Sequence, residues 1–200
     1  MNAHFQQLYE KNDDPWQVRQ RWYEQRKRAL LLASLPAPHF RHAFEPACGN
    51  GELTTSLARR ADTVTASDVS PAAVQLTRDR VAGLGPGRVH VSCQRVPQDW
   101  PVGAAFDLIV ISEMAYYLNA DDLEQMRQRC IDTLALSGAL VLCHWRRPFH
   151  DRMQSADTIH AAFTASPQLH HLSRHEEEDF LLDVWSRDPR SVAQREGIAK

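Results

Sequence analysis

The chain has 200 residues, 43% of them apolar and 24% charged, with a formal net charge of −2. That size supports a single domain (1–200) with a proper core; the balanced charge removes the basic field a nucleic-acid binder needs, and no apolar run is long enough to span a membrane. The polar, acidic start MNAHFQQLYEKNDD does not have the form of a signal peptide, and Cys48, Cys93, Cys130 and Cys143 are too scattered for a zinc ribbon or a disulfide framework, which fits a reducing cytoplasm.

In chain order, residues 1–36 read as a helical cap. Asp14 and Pro15 supply an N-cap and a first-turn proline, and Val18, Trp22, Ala29 and Leu32 recur at helical spacing until PAPHF breaks the pattern. From 40 to 186 strands and helices alternate. HAFEP is a short strand, GELTTSLARRA a helix, and TVTASD a strand. SPAAVQLTRDRVAGL is a helix capped by Ser70, and RVHVSC a strand. FDLIVIS has the composition of a strand buried on both faces. DDLEQMRQRCIDTLAL carries Leu123, Met126, Cys130, Ile131 and Leu134 on one helical stripe, and Ser137 and Gly138 turn it into the strand ALVLCHW. A helix near 155–165 precedes two alternating runs, LHHLSRH and DFLLDVWSR, and residues 187–200 form a tail. Only EEE separates those two runs, too little for a parallel crossover, so they pair antiparallel. The expected fold is α/β and Rossmann-like: a mainly parallel seven-stranded sheet ending in an antiparallel hairpin, with helices on both faces. Its ligand site lies beyond the carboxyl ends of the strands, at the switch in strand order.

At that site the first strand runs into FEPACGNGEL. A dinucleotide fingerprint needs three glycines and a helix N-terminus free to hold a pyrophosphate. Counted from Gly49, the third position is Thr54; counted from Ala47, it is Glu52. Glu45 and Glu52 would also repel a pyrophosphate, which argues against a nicotinamide enzyme. S-adenosylmethionine (SAM) is cationic at sulfur and carries no phosphate. Gly49 and Gly51 would give it close backbone approach, and Glu45 would stand beside its cationic region. Asp68, at the end of the second strand and followed by Val69, can accept both ribose hydroxyls. After the third strand, Gln94, Arg95, Val96 and the more distant Asp99 are the candidates to meet adenine. The fourth strand ends in Ser112 and Glu113, and Tyr116 or Tyr117 could line the site. Cys48 reads as a packed residue, since no base adjoins it in sequence. The histidines lack metal-ligand spacing, so no metal is expected, and HEEED reads as a solvated turn.

The pattern Glu-x-Ala-x-Gly-x-Gly resembles the first motif of class I SAM-dependent methyltransferases, with Ala47 in place of a glycine. The segments YEKNDDPWQVRQRWYEQRKRALLLASLP, EPACGNGELTTSLA, FDLIVISEMAYYL and HWR, with the tail RHEEEDFLLDVWSRDPRSVAQREGIA, together resemble the nodulation protein S (NodS-type) family across nearly the whole chain. The resemblance implies methyl transfer from SAM, leaving S-adenosylhomocysteine, to a small-molecule acceptor. In nodulation protein S that acceptor is an amino-sugar nitrogen. It also implies an N-terminal lid over SAM, with Trp16, Arg19, Trp22 and Tyr23 as lid candidates, an arginine such as Arg26 for the SAM carboxylate, and functional association with a sugar-deacetylase-like protein. Glu113 and His144 are the catalytic candidates, as the base or the group that orients an amine. O-methylation and a non-catalytic SAM-binding module are the alternatives.

Overall fold

The sheet is organised around FDLIVIS. In the computed structural model, which describes residues 2–199, this run is β4 (Phe106–Ser112), and Leu108, Ile109, Val110 and Ile111 are all fully buried. Successive side chains point to opposite faces of a strand, so β4 feeds two cores. Ile109 and Ile111 pack on one face with Phe44, Leu140, Leu142 and Trp185; Leu108 and Val110 pack on the other with Ala43, Val64 and Val141.

The other strands are β1 (Phe40–Pro46), β2 (Ala61–Asp68), β3 (Val89–Cys93), β5 (Leu134–Trp145), β6 (His170–Glu176) and β7 (Phe180–Ser186), in the sheet order β3-β2-β1-β4-β5-β7-β6. Strands β1 to β5 pair parallel, while β7 is antiparallel to both neighbours, β5 and β6. The architecture is thus the expected Rossmann-like one. The chain winds outward from β1 through β2 and β3, then returns to β4 on β1's other side, so the carboxyl ends of β1 and β4 flank the switch point.

The helices of the winding are α3 (Glu52–Leu57), α4 (Pro71–Val81), α5 (Ala120–Thr133) and α6 (Ala156–Thr164), with a short α7 (Val192–Arg195) in the tail. Ser70 caps α4 by accepting from the Ala73 N–H, with Pro71 at the first position. Strand β5 starts at Leu134 directly from α5, earlier than Ser137 and Gly138 suggest, and a register irregularity opposite Phe106 and Leu108 absorbs the difference.

The N-terminal segment departs most from the sequence pattern. It holds two helices, α1 (Asn2–Lys11) and α2 (Trp22–Ala33), and the helix expected from Asp14 begins only at Trp22. Asp14 does cap, but it caps a turn: its carboxylate accepts the Val18 N–H at 2.8 Å and the Arg19 N–H at 3.2 Å. Gln17 then takes a left-handed backbone conformation (φ 57°), which ends the turn before a helix can propagate. The expected apolar stripe is also displaced. Trp22 is 73% exposed, whereas α2 buries Lys27 and Leu31.

Candidate active site

A cavity of about 970 Å³ opens at the carboxyl ends of β1 to β5 and is roofed by α1, the 12–21 turn and α2. That is the upper end of the size usual for small-molecule sites. Its two halves are built differently.

The half beyond β1, β2 and β3 is made largely of backbone. Ala47 and Gly49 line it, both left-handed (φ 57° and 56°). A Cβ on Gly49 would lie 2.6 Å from the Tyr9 hydroxyl oxygen, so glycine is needed for α1 to close onto the loop. Gly51 (φ 80°) does not line the cavity. It precedes α3 and packs against Thr77 of α4, where a Cβ would meet the Thr77 Cα at 3.0 Å. Ala47 holds a conformation that glycine takes freely, at a strain of about 1–2 kcal/mol.

Asp68 lines the cavity and accepts the Gly49 N–H at 3.0 Å and the Ser70 N–H at 2.9 Å. Burial raises its pKa, and those N–H groups oppose the rise. Glu45 is buried against the loop, and its Oε2 has no hydrogen-bond partner. Burial, with the Asp68 charge added, pushes its pKa up to about 8. Val69, Gln94, Arg95 and Val96 complete this wall. Asp99 does not line it and instead accepts the Arg95 N–H at 2.9 Å.

The half beyond β4 and β5 is made of side chains. Ser112 and Glu113 line it, and Glu113 is again left-handed (φ 56°). The three left-handed non-glycine residues among those described, Gln17, Ala47 and Glu113, therefore lie in the cavity wall or directly beside it. Such strain persists where surrounding structure over-determines it, often at functional sites. Glu113 Oε1 pairs with Lys27 Nζ at 2.6 Å; Oε2 accepts from the Tyr116 hydroxyl and from the Trp145 N–H at 3.3 Å. A carboxylate has about four acceptor positions, so one remains, on Oε1 beside Lys27. An aromatic wall surrounds it. Tyr117 meets Phe5 of α1 at 5.0 Å and Phe149 at 5.7 Å, and Tyr23 meets Trp145 at 5.6 Å. Trp16 lines the roof against Tyr9 at 5.7 Å.

Two expectations are corrected. His144 is fully buried and does not line the cavity, so it cannot reach an acceptor as base. Its Nε2 lies 3.4 Å from the Ala115 N–H, and its Nδ1 lies 3.1 Å from His160 Nε2; His160 in turn meets Asp183 at 2.7 Å. Burial and the adjacent His160 hold the pKa of His144 well below the usual histidine range. The cause is strand alternation. Cys143 and Trp145 face the cavity, and His144 points to the other side of the sheet. The second correction concerns Arg26, which forms a bidentate pair with Glu177 in the β6–β7 turn at 2.6 and 3.0 Å, away from the cavity. Glu177 is thus paired with Arg26 and His175, not simply solvated. Arg19 is also taken up, by Asp13 and Asp14, whereas Arg21 and Arg28 do line the cavity.

Lys27, Tyr9, Phe5 and Arg28 are among the lining residues that sequence reasoning missed. Lys27 lies one helical turn from both Tyr23 and Leu31, and that i, i+4 stripe was the available signal. Among the described residues no three His, Cys, Asp or Glu side chains gather as metal ligands, and no helix is long and apolar enough to cross a membrane.

Residues 43–138 match the family model described as a methyltransferase domain. The nodulation protein S of Bradyrhizobium diazoefficiens is 31% identical over 161 residues, covering 77% of this chain and 75% of that protein. The chain spans 54% and 59% of the length of the nodulation protein S relatives from Rhizobium tropici and Sinorhizobium fredii. Among solved structures, a Pseudomonas syringae chain described as a methyltransferase is 43% identical with a TM-score of 0.73, covering 83% of this chain and 99% of that one. The N-methyltransferase NodS from Bradyrhizobium japonicum WM9, solved with S-adenosylhomocysteine, is 25% identical with a TM-score of 0.79, covering 93% and 99%.

Proposed function

The chain belongs to the class I SAM-dependent methyltransferases, in the family of nodulation protein S, with SAM as its methyl donor, and from that premise we propose that it methylates the amine nitrogen of an amino sugar or sugar-derived metabolite. The observation that carries the reading is Glu113: a carboxylate with one acceptor position left, at the end of the strand next to the SAM loop, inside an aromatic wall. Aromatic faces suit the C–H faces of a sugar, and a carboxylate suits its amine.

The residues present fit SAM. Gly49 lines the cavity with bare backbone, Asp68 lines it where it would accept ribose hydroxyls, and the buried Glu45 Oε2 has no hydrogen-bond partner and would suit a donor or cation. Val69 and Val96 would offer apolar contact to the adenine, and Gln94 and Arg95 would supply polar groups beside it. Arg21 or Arg28, rather than Arg26, reaches the SAM carboxylate. Trp16, Tyr23 and Tyr117 enclose the methionine end. When bound, SAM supplies an electrophilic methyl group on a sulfonium. Glu113 then accepts an N–H of the neutral acceptor amine and aims its lone pair at that methyl carbon. Transfer would form the C–N bond and leave the electrons of the broken methyl–sulfur bond on sulfur, and the methylated ammonium would give up its proton to solvent once the product has left the site. Holding the two reactants in line supplies most of the acceleration. The roof of α1 and α2 keeps bulk water from the reacting atoms.

On this reading a sugar deacetylase acts upstream, freeing the amine, and the enzyme works in the cytoplasm with its four cysteines reduced. The test is a labelled-SAM transfer screen against deacetylated amino sugars, other amines and hydroxylated small molecules. Label on the amino sugars is the expected result. Label only on hydroxyl acceptors would replace the reading with O-methylation, and no transfer to any acceptor would leave a binding module.

A further inference from the structure

Lys27 is an unusual residue to bury. It is 6% exposed, sits on an N-terminal helix, and reaches across the roof to a strand end 86 residues away. Its Nζ contacts Glu113 at 2.6 Å and Glu24 at 3.0 Å, and lies 5.0 Å from the centroid of the Tyr23 ring. A buried ammonium is costly unless paired, and a surface lysine would have built the same helix. Tyr116 is on the far side of Glu113, Tyr117 from the same segment lies within its field, and β5 contributes the buried Cys143 thiol and, on the sheet's opposite face, His144. Glu113 alone would attract an acceptor in its protonated form, and an ammonium has no lone pair to accept a methyl group.

We propose that Lys27 is a positioning residue that selects the protonation state of the acceptor: its ammonium, seated beside the one unfilled lone pair of Glu113, repels an acceptor ammonium and admits the neutral amine. Carboxylate and lysine thus act together, Glu113 orienting an N–H and Lys27 keeping the nitrogen unprotonated. A like charge nearby disfavours the charged form of an amine, and a neighbouring cation is a known way to lower an amine's pKa at a reaction centre. The partners of Lys27 outweigh its burial and keep it protonated through the neutral range. This inference rests on the amine-acceptor reading above.

The experiment compares wild type with Lys27→Met, Lys27→Gln and Lys27→Arg, measuring kcat and acceptor KM against pH with an amine that wild type methylates. The kcat profile reports groups in the bound complex. Removing the cation should move its acid limb up by about one pH unit. Below that limb the acceptor KM should fall, because an ammonium now pairs with Glu113, while SAM affinity stays within twofold. Lys27→Arg should keep the wild-type limb. The glutamine variant serves if the methionine variant shows no cooperative melt. A folded variant whose kcat drops by the same factor at every pH, with the limb unmoved, would make Lys27 a strut holding α2 and overturn the inference. If wild type methylates no amine at all, it is the acceptor reading that has failed, and the two failures are therefore distinct.

Discussion

The two halves of the cavity are assembled by different means. The half beyond β1 to β3 is a backbone cradle set by consecutive residues: Ala47 and Gly49 in left-handed conformations, Gly51 packed on Thr77, and Asp68 holding the Gly49 N–H. The half beyond β4 and β5 is a meeting of side chains from distant segments: Glu113 with Lys27, Tyr116 and the Trp145 N–H, and Phe5 with Tyr117. A wall made of side chains can be recomposed residue by residue. The difference separates a region whose shape is set by main-chain geometry from one whose chemistry is set by the choice of side chains.

Substitutions can break or sharpen that division. The largest effect is expected at Glu113→Gln. It removes the charge that Lys27 pairs with and weakens the hold on the amine, so kcat should fall by about 10- to 100-fold, the worth of a hydrogen bond to a charged group, with SAM affinity nearly unchanged by titration calorimetry. A parallel loss of SAM binding would mean the halves are not separable. Next is Asp68→Ala, which should weaken SAM binding at least about tenfold, the worth of about 1.4 kcal/mol, by removing the proposed ribose acceptor and the tie to Gly49. Unchanged affinity would remove Asp68 from the cofactor half.

A smaller effect separates the halves by pH. Glu45 titrates near 8 in the free protein because it is buried, above its unfolded value of about 4.3. The folded state therefore holds an extra proton on Glu45 between those values, and the contribution of Glu45 to unliganded stability should decline as pH rises from about 4 toward 8, opposite in sign to that of the buried, low-pKa His144 and His160. A cationic ligand draws that proton off, so SAM affinity should rise severalfold from pH 6 to pH 8, with proton release visible as buffer-dependent binding heat. In Glu45→Gln the slope should vanish; a slope that survives would assign the proton to another group. The smallest effect is Ala47→Gly. It relieves left-handed strain but loosens the unfolded chain, for a net gain below about 1 kcal/mol in thermal melts. The alanine methyl packs partly against the core, and a loss of stability there would mean that this packing outweighs the strain.

Much of the cradle was legible in the sequence because it is local. Gly49, Gly51 and Glu45 fall within seven residues, Asp68 ends the next strand, and FDLIVIS is apolar enough to declare a buried strand. What was not legible depends on tertiary pairing. Lys27 sits in EQRKR, which reads as solvated, and only the approach of Glu113 gives its charge a buried partner. Arg26 lies in the same run and turns outward to Glu177. Within the helical cap the sequence does not set α1 apart as its own helix, because it is polar; it is held by Gln6, which accepts from the Ser70 hydroxyl and the Ala72 N–H, and by Tyr9 against Gly49. His144 was misplaced by one step of strand alternation. It was assigned to the open end of β5, yet the residues that reach the cavity are Cys143 and Trp145, while His144 joins His160 and Asp183 inside the sheet's other face.

The claim on which the rest depends is that the side-chain half presents a neutral amine to the methyl group. The most direct measurement is NMR of the product formed by wild-type enzyme from SAM carrying a ¹³C-labelled methyl group and a deacetylated amino sugar. A single labelled N-methyl resonance is predicted. A labelled O-methyl resonance on the same sugar, with the amine untouched, would contradict it.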